Sequence, residues 1–158
     1  SRNKEFFKES LNLNKIVEST LGLLHGQVPA GVKVRAEISP NLTIFADKQR
    51  IQQAFMNLIG NAIQACRTDG EVRIRAEGSY DEMVTMIIRD TGTGIREEDL
   101  PKIFDPFFTT KDVGQGTGLG LFITHDIIVR HNGSIKVKST PGSGTSFTIK
   151  LPAKEPSE

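Results

Sequence analysis

Cysteine is almost absent from this sequence. Cys66 stands alone, so an internal disulfide is excluded, and a buried, inert thiol in a reducing compartment is the expected state. A charge excess is lacking too: 20 Lys and Arg stand against 19 Asp and Glu, a formal +1. The basic residues are scattered along the chain rather than clustered, which predicts no nucleic-acid partner, since such partners need a basic stripe. No apolar run approaches the roughly 20 residues of a membrane span, and the opening residues do not read as a signal peptide. The expectation is a cytoplasmic piece without direct membrane contact, whose parent protein can still be anchored to the inner membrane. Repeats and low-complexity linkers are missing as well. What remains is 158 residues, 37% hydrophobic and 25% charged, enough for one soluble globular domain around one core.

Apolar spacing divides the chain into elements. Ser1 to Ser10 is polar apart from Phe6 and Phe7 and reads as the tail of something upstream. Asn12 is a helix cap before a stretch in which Leu13, Ile16, Val17, Leu21 and Leu24 recur at helical spacing, ended by Pro29 and Gly31. Residues 32–38 alternate as a strand, and a short extended piece follows at 42–46. Asp47 caps a long helix to about Cys66, with an apolar stripe of Ile51, Phe55, Leu58, Ala62 and Ala65. EVRIRAEG (71–78) and MVTMIIRD (83–90) are two strands. A short helix is expected around Glu97 to Ile103, and a last helix from about Thr117 to His131, stopped by Asn132-Gly133 in a left-handed turn. SIKVKST and TSFTIKL close a hairpin around PGSG. The domain proper is expected over 11–152, with a disordered tail at 153–158. Strands and helices do not alternate strictly, so a mixed sheet fits better than a doubly wound parallel one. The expected fold is α+β: a two-layer sandwich with a mixed, mostly antiparallel sheet and helices on one face.

Four segments carry chemistry. On the long helix Gln53, Asn57 and Asn61 fall at steps of four beside the apolar stripe. Asn is a poor helix former, and an Asn carbonyl oxygen suits Mg²⁺, a cation that keeps several waters and shares the rest with phosphates. Ordinary solvated residues are the alternative. Next, Arg89 to Ile95 reads RDTGTGI: a buried strand delivers Asp90, and Gly92 and Gly94 let a ligand approach the backbone. A carboxylate so placed can accept from the exocyclic amine of adenine, although any turn can use this pattern. Then Gly114 to Leu121 reads GQGTGLGL immediately before a helix, where bare N–H groups and the helix dipole can hold phosphates. It lacks the Gly-Lys-Ser/Thr ending of a Walker loop and fits no dinucleotide fingerprint; a flexible hinge is the alternative. Between the last two lies KIFDPFFTTK, whose Phe104, Phe107 and Phe108 form a small satellite core or anchor a lid over nucleotide, with Lys111 able to reach a phosphate.

The order of these boxes is specific: NLIGNA (57–62), DTGTGI (90–95), FDPFF (104–108) and GTGLGL (116–121). Together they resemble the catalytic, ATP-binding domain of two-component sensor histidine kinases, within the wider superfamily of gyrase, Hsp90 and MutL ATPases. The resemblance runs from about Asn12 to Pro152 and implies a Bergerat-type ATP-binding fold with ATP and Mg²⁺ as cofactors. It implies that Asn61 coordinates Mg²⁺, that Asn57 is the polar position one turn before it, and that Asp90 reads adenine in a base pocket shaped by Gly92, Gly94 and Ile95. Gly116, Thr117, Gly118, Leu119, Gly120 and Leu121 match the phosphate loop. Phe104, Phe108 and Lys111 match its Phe-box side, and Thr145 matches a Thr that supports adenine recognition. His131-Asn132-Gly133 resembles the usual His-Gly-Gly. Hydrolytic members of the superfamily carry a Glu where this chain has Asn57, which cannot take a proton from water. The acceptor is therefore expected to be a histidine on a separate dimerisation and histidine-phosphotransfer domain of the same parent, a homodimer that signals to a response-regulator receiver domain. The opening Ser1-Arg2 resembles the tail of that domain's second helix. His25, His125 and His131 sit in no acidic helical motif and are expected to be structural or solvated.

Overall fold

The computed structural model describes residues 5–109 and 119–157. Among them the order is β1 (Lys8–Asn12), α1 (Leu13–Leu24), β2 (Lys33–Ile38), β3 (Thr43–Asp47), α2 (Lys48–Ala65), β4 (Glu71–Gly78), β5 (Met83–Asp90), α3 (Gly120–Arg130), β6 (Ser134–Thr140) and β7 (Gly144–Pro152). The main sheet has the order β2-β4-β5-β7-β6; its first pair is parallel and the others are antiparallel. The three helices cover one face, as the expected two-layer fold requires.

Local chemistry sets the helix starts. Asn12 Oδ1 accepts from the Lys15 N–H at 3.0 Å, and Asp47 Oδ1 accepts from the Arg50 N–H at 3.0 Å. Each cap satisfies one donor that the first helical turn leaves orphaned. Along α2, Ile51, Phe55, Leu58, Ile59 and Ile63 are buried, and they face Ile74 of β4, Met86 and Ile88 of β5, and Ile149 of β7. Each such side chain stabilises the fold by about 1.5–3 kcal/mol. Cys66 is buried at the end of α2, and burial pushes its thiol pKa up, so it is the inert thiol expected.

The structure changes three boundaries. Lys8–Ser10, read above as upstream tail, form β1 together with Leu11 and Asn12, antiparallel to β3. The apolar residues just before them explain this. The Phe6 ring lies 5.0 Å from the His131 ring, with the Arg50 guanidinium 5.3 Å above Phe6, and the Phe7 N–H donates to Asp47 Oδ2 at 2.9 Å. At the other end, Ala153 and Lys154 are fastened rather than disordered: the Ala153 N–H donates to Glu82 O at 2.8 Å, and Lys154 pairs with Glu82 at 2.9 Å. The segment read as a helix at 97–103 makes only a 3-10 turn, Leu100–Lys102. Pro101 and Pro106 leave too little chain to propagate an α-helix. The described part of the last helix begins at Gly120; Thr117 and Gly118 lie outside the described residues.

His131 closes the domain at the C-terminus of α3. It is 1% exposed. Its Nδ1–H donates to Ile127 O at 2.8 Å, and its Nε2 accepts from the Asp47 N–H at 3.0 Å, so the ring is the neutral Nδ1–H tautomer. Burial lowers its pKa from 6.5. Below pH 6.5 the unfolded chain takes a proton that the folded chain refuses, until pH reaches the depressed folded value. Stability is therefore lost as pH falls through that window and regained as pH rises. Denaturant titrations of the unmutated chain and of His131→Gln should show this slope only in the former. An identical slope in both would assign the titration elsewhere.

Candidate functional site

Strand alternation delivers the central acid. On β5, Val84, Met86, Ile88 and Asp90 share the face turned to the helices, so Asp90 occupies a core position. It is 5% exposed. Its Oδ1 accepts from the Gly92 N–H at 2.8 Å, and the Thr145 backbone N–H donates to it as well. Burial pushes its pKa up, and these two donors oppose the rise. A carboxylate has about four lone-pair sites, so capacity remains for a donor on a ligand.

Thr145 faces Asp90 in the β5–β7 register. Its Oγ1 lies 2.8 Å from Ser139 Oγ, which also accepts from the Ile95 N–H at 2.7 Å and donates to Gly144 O at 3.0 Å. Ser139 has one proton to give, so the Thr145 hydroxyl donates to Ser139 and keeps its own lone pairs for the site. Ser139 was missed in the sequence, yet a signal existed: it continues the inward register of Ile135 and Val137 on β6.

These groups open onto a cavity of about 480 Å³ between α2, α3 and the sheet, within the range of small-molecule sites. Asn57, Asn61, Asp90, Gly94, Ile95, Phe108, Gly120, Leu121 and Thr145 all lie in its wall. Gly94 has φ +75, and a Cβ there would stand 2.3 Å from Thr140 O, so only glycine fits. Asn57 Nδ2 donates to Gly120 O and to Thr124 Oγ1, both at 3.3 Å. It therefore ties α2 to the first turn of α3. Leu119 precedes that turn and, among the described residues, gives it no side-chain cap, while Gly120 of the turn lies in the cavity wall, so a helix start faces the site.

Some candidates lie elsewhere. Gly92 stands behind the wall, where an added Cβ would come 2.4 Å from Ala65 O. Phe104 packs between the His125 ring (5.1 Å) and the Phe147 ring (6.4 Å), so it acts as the satellite core, while its neighbour Ile103 lines the cavity. Phe107 is 73% exposed, and Gln53 is exposed and outside the wall. Leu119 precedes α3 and is not in the wall. Lys111, Gly116, Thr117 and Gly118 lie outside the described residues. The wall also holds Leu24, Gln27 and Met56, which no sequence motif marked. Among the described residues no three His, Cys, Asp or Glu side chains could hold a metal by themselves.

Known proteins share this sequence pattern and fold. The family described as histidine kinase-, DNA gyrase B-, and HSP90-like ATPase matches residues 46–155. The signal transduction histidine-protein kinase AtoS of Escherichia coli K12 is 40% identical over 149 residues, which is 91% of this chain and 24% of AtoS. The chain thus spans about a quarter of that relative's length. Among solved structures, the nucleotide-free catalytic domain of histidine kinase ThkA superposes with a TM-score of 0.82 at 34% identity, covering 93% of this chain and 96% of that one. ThkA in complex with the response regulator protein TrrA gives 0.74 at 28% identity, covering 93% and 42%. Fold, cavity and kinship agree: this chain belongs to the histidine kinase-, DNA gyrase B- and HSP90-like ATPase family, as an ATP-binding catalytic domain of the sensor-histidine-kinase kind.

Proposed function

We propose that this domain transfers the γ-phosphoryl of Mg-ATP to a histidine on a separate dimerisation and histidine-phosphotransfer domain of its own parent protein. A neutral ring nitrogen of the acceptor attacks the γ-phosphorus, the bond to the bridging β-oxygen breaks, and ADP leaves. The observation that carries this reading is the amide Asn57 at the position where a base for water would stand. Among the described residues of the cavity wall the only carboxylate is Asp90, and it is already held by two backbone N–H groups. The position one turn before Asn61 is Asn57, an amide tied to α3. Such a site positions ATP and neutralises charge rather than activating water. The parent is read as a cytoplasmic-facing homodimer whose phosphohistidine supplies a response regulator, the partner seen with ThkA.

Asn61, in the wall beside α3, is the residue proposed to hold Mg²⁺. Its neutral carbonyl oxygen fits a cation whose other ligands are water and phosphate. The metal would draw charge from the β- and γ-oxygens. Asn61→Ala should weaken Mg-ATP by about tenfold while leaving metal-free ATP nearly unchanged. An equal loss in both, measured by calorimetry with and without Mg²⁺, would make Asn61 a purely structural residue.

The function itself is tested with labelled ATP. Alone, the chain should hydrolyse ATP very slowly and should not label itself. Mixed with the parent's helical domain, it should place acid-labile, base-stable phosphate on that domain's histidine. The yield should be low, because an untethered pair lacks the effective concentration, often on the order of mM, that a short linker provides. Rapid hydrolysis by the chain alone would favour an ATP-driven clamp, and acid-stable phosphoserine on a partner would favour a serine kinase.

A further inference from the structure

The basic residues that look scattered along the sequence meet on the outer face of the main sheet, opposite the cavity. The strand register aligns Arg35 with Arg73, Arg73 with Arg89, Arg89 with Ser146, and Ser146 with Lys138. All four basic residues of this row are exposed. At about 4.8 Å per strand the row runs roughly 19 Å across the sheet. The next row aligns Glu37, Arg75, Ile87, Thr148 and Lys136.

The two ends of this face differ in charge. On β2 and β4, Arg73 pairs with Glu37 at 2.9 Å and Arg35 lies 4.0 Å from Glu71, so acids interleave the bases. Over β5, β7 and β6, Arg89, Lys136 and Lys138 make no ion pair among the described residues, and they surround the half-buried hydroxyls of Ser146 and Thr148 and the exposed Ile87. Arg89 stands two strands, roughly 10 Å, from the lysine pair, and an anion bridging them across Ser146 and Thr148 would meet unopposed positive charge. Lysines on an edge strand such as β6 also deter sheet-to-sheet pairing, but edge protection does not call for Arg89 at the sheet's centre.

We propose that the Arg89–Lys136–Lys138 face of the sheet docks an acidic protein segment, one whose carboxylates ring a small aliphatic group. A protein fits better than a membrane or a nucleic acid for two reasons. Glu37 and Glu71 would be driven against a uniformly anionic surface, whereas a discrete acidic segment reaches the basic end alone. An aliphatic centre at Ile87 inside a charged rim is protein-interface anatomy. The patch is small, so the contact is weak and reversible. Arg89 and Asp90 are neighbours on β5 and point to opposite faces, as do Ser146 and Thr145 on β7. Docking therefore leaves the cavity open, and the domain can hold ATP and this partner together.

The probe is a short synthetic peptide of acidic residues flanking a central leucine, titrated into the chain and read by calorimetry. Arg89→Glu with Lys138→Glu should weaken its binding by about tenfold or more and leave ATP affinity unchanged. Lys15→Glu with Lys48→Glu changes net charge equally on the exposed helix side and should have little effect. Lys136→Gln with Lys138→Gln, milder in case the reversal disturbs folding, should give a smaller loss of the same sign. The proposal is overturned if both charge-reversal pairs weaken the peptide alike, which would leave only net charge. Tighter binding of phosphatidylserine vesicles or of a DNA duplex through these residues would overturn it too, as would self-association of the chain through this face.

Discussion

Asp90→Asn is expected to weaken ATP binding by about ten- to a hundredfold, from the roughly 1–3 kcal/mol that a buried polar mismatch costs. The Gly92 N–H donates to Asp90 Oδ1 at 2.8 Å, and the Thr145 N–H donates to the same carboxylate. An amide has one acceptor oxygen where the carboxylate has two. If that oxygen serves the backbone donors, the NH₂ group faces the amino group of adenine, donor against donor. If it turns to the ligand, a buried N–H faces the NH₂ instead. The same change suits guanine better, since guanine presents an acceptor oxygen, so preference for ATP over GTP should collapse. Titration of the unmutated chain gives a second reading. The folded pKa of Asp90 is raised above 3.8 by burial, so between 3.8 and the raised value the folded chain holds a proton that the unfolded chain has released. This group's contribution to stability consequently rises as pH falls through that window and is lost above it. ATP affinity should move the opposite way and fall with pH, because protonation removes the acceptor. Calorimetry showing equal affinity for ATP and GTP in the unmutated chain would remove Asp90 from its proposed role.

Gly144→Ala is expected to destabilise the fold by about 3 kcal/mol or more and to abolish nucleotide binding at the same time. Gly144 has φ +127, where side chains other than hydrogen are strained, and a Cβ built there would lie 1.9 Å from Asp90 O. That oxygen is backbone in the central strand, so it cannot swing aside. β5 and β7 would have to separate at the register pair Asp90 and Thr145, the two residues proposed to read the base. Gly142 is the internal control. It also has positive φ, at +82, but nothing lies within 4 Å of an added Cβ. Gly142→Ala should therefore cost only the conformational term, about 1–2 kcal/mol, and should leave ATP binding intact. Thermal melts with and without ATP measure both quantities. Equal melting temperatures for the two variants would mean that the close approach at Gly144 does not hold.

Much of this domain was legible in one dimension, and the reason is periodicity. A helix or a half-buried strand must repeat its apolar residues at its own period to hide one face. That is why α2, β4, β5, β6 and β7 were found within a residue or two of their bounds. Caps were legible because Asn12 and Asp47 act on donors three residues away. Elements held by distant partners were not. β1 exists because Phe6 and Phe7 meet His131 and Asp47, and Ala153 is ordered by Glu82. Neither contact leaves a trace in local spacing.

The site divides the same way. The four motif boxes and their order determined the family, and with it the residue types proposed to hold ATP, because each type answers a local chemical need. Only the tertiary structure decided which of them share a wall: it set Phe104 and Gly92 behind the cavity and brought Ser139 in as the partner of Thr145. It also decided charge. Arg35, Arg73, Arg89 and Lys138 are far apart in sequence, and the net charge of +1 conceals them. Strand pairing sets Arg35, Arg73 and Arg89 side by side at about 4.8 Å and brings Lys138 into the same row one strand beyond Ser146. Composition sums charge over the chain, whereas a field depends on the distances between charges, and those exist only once the sheet has formed.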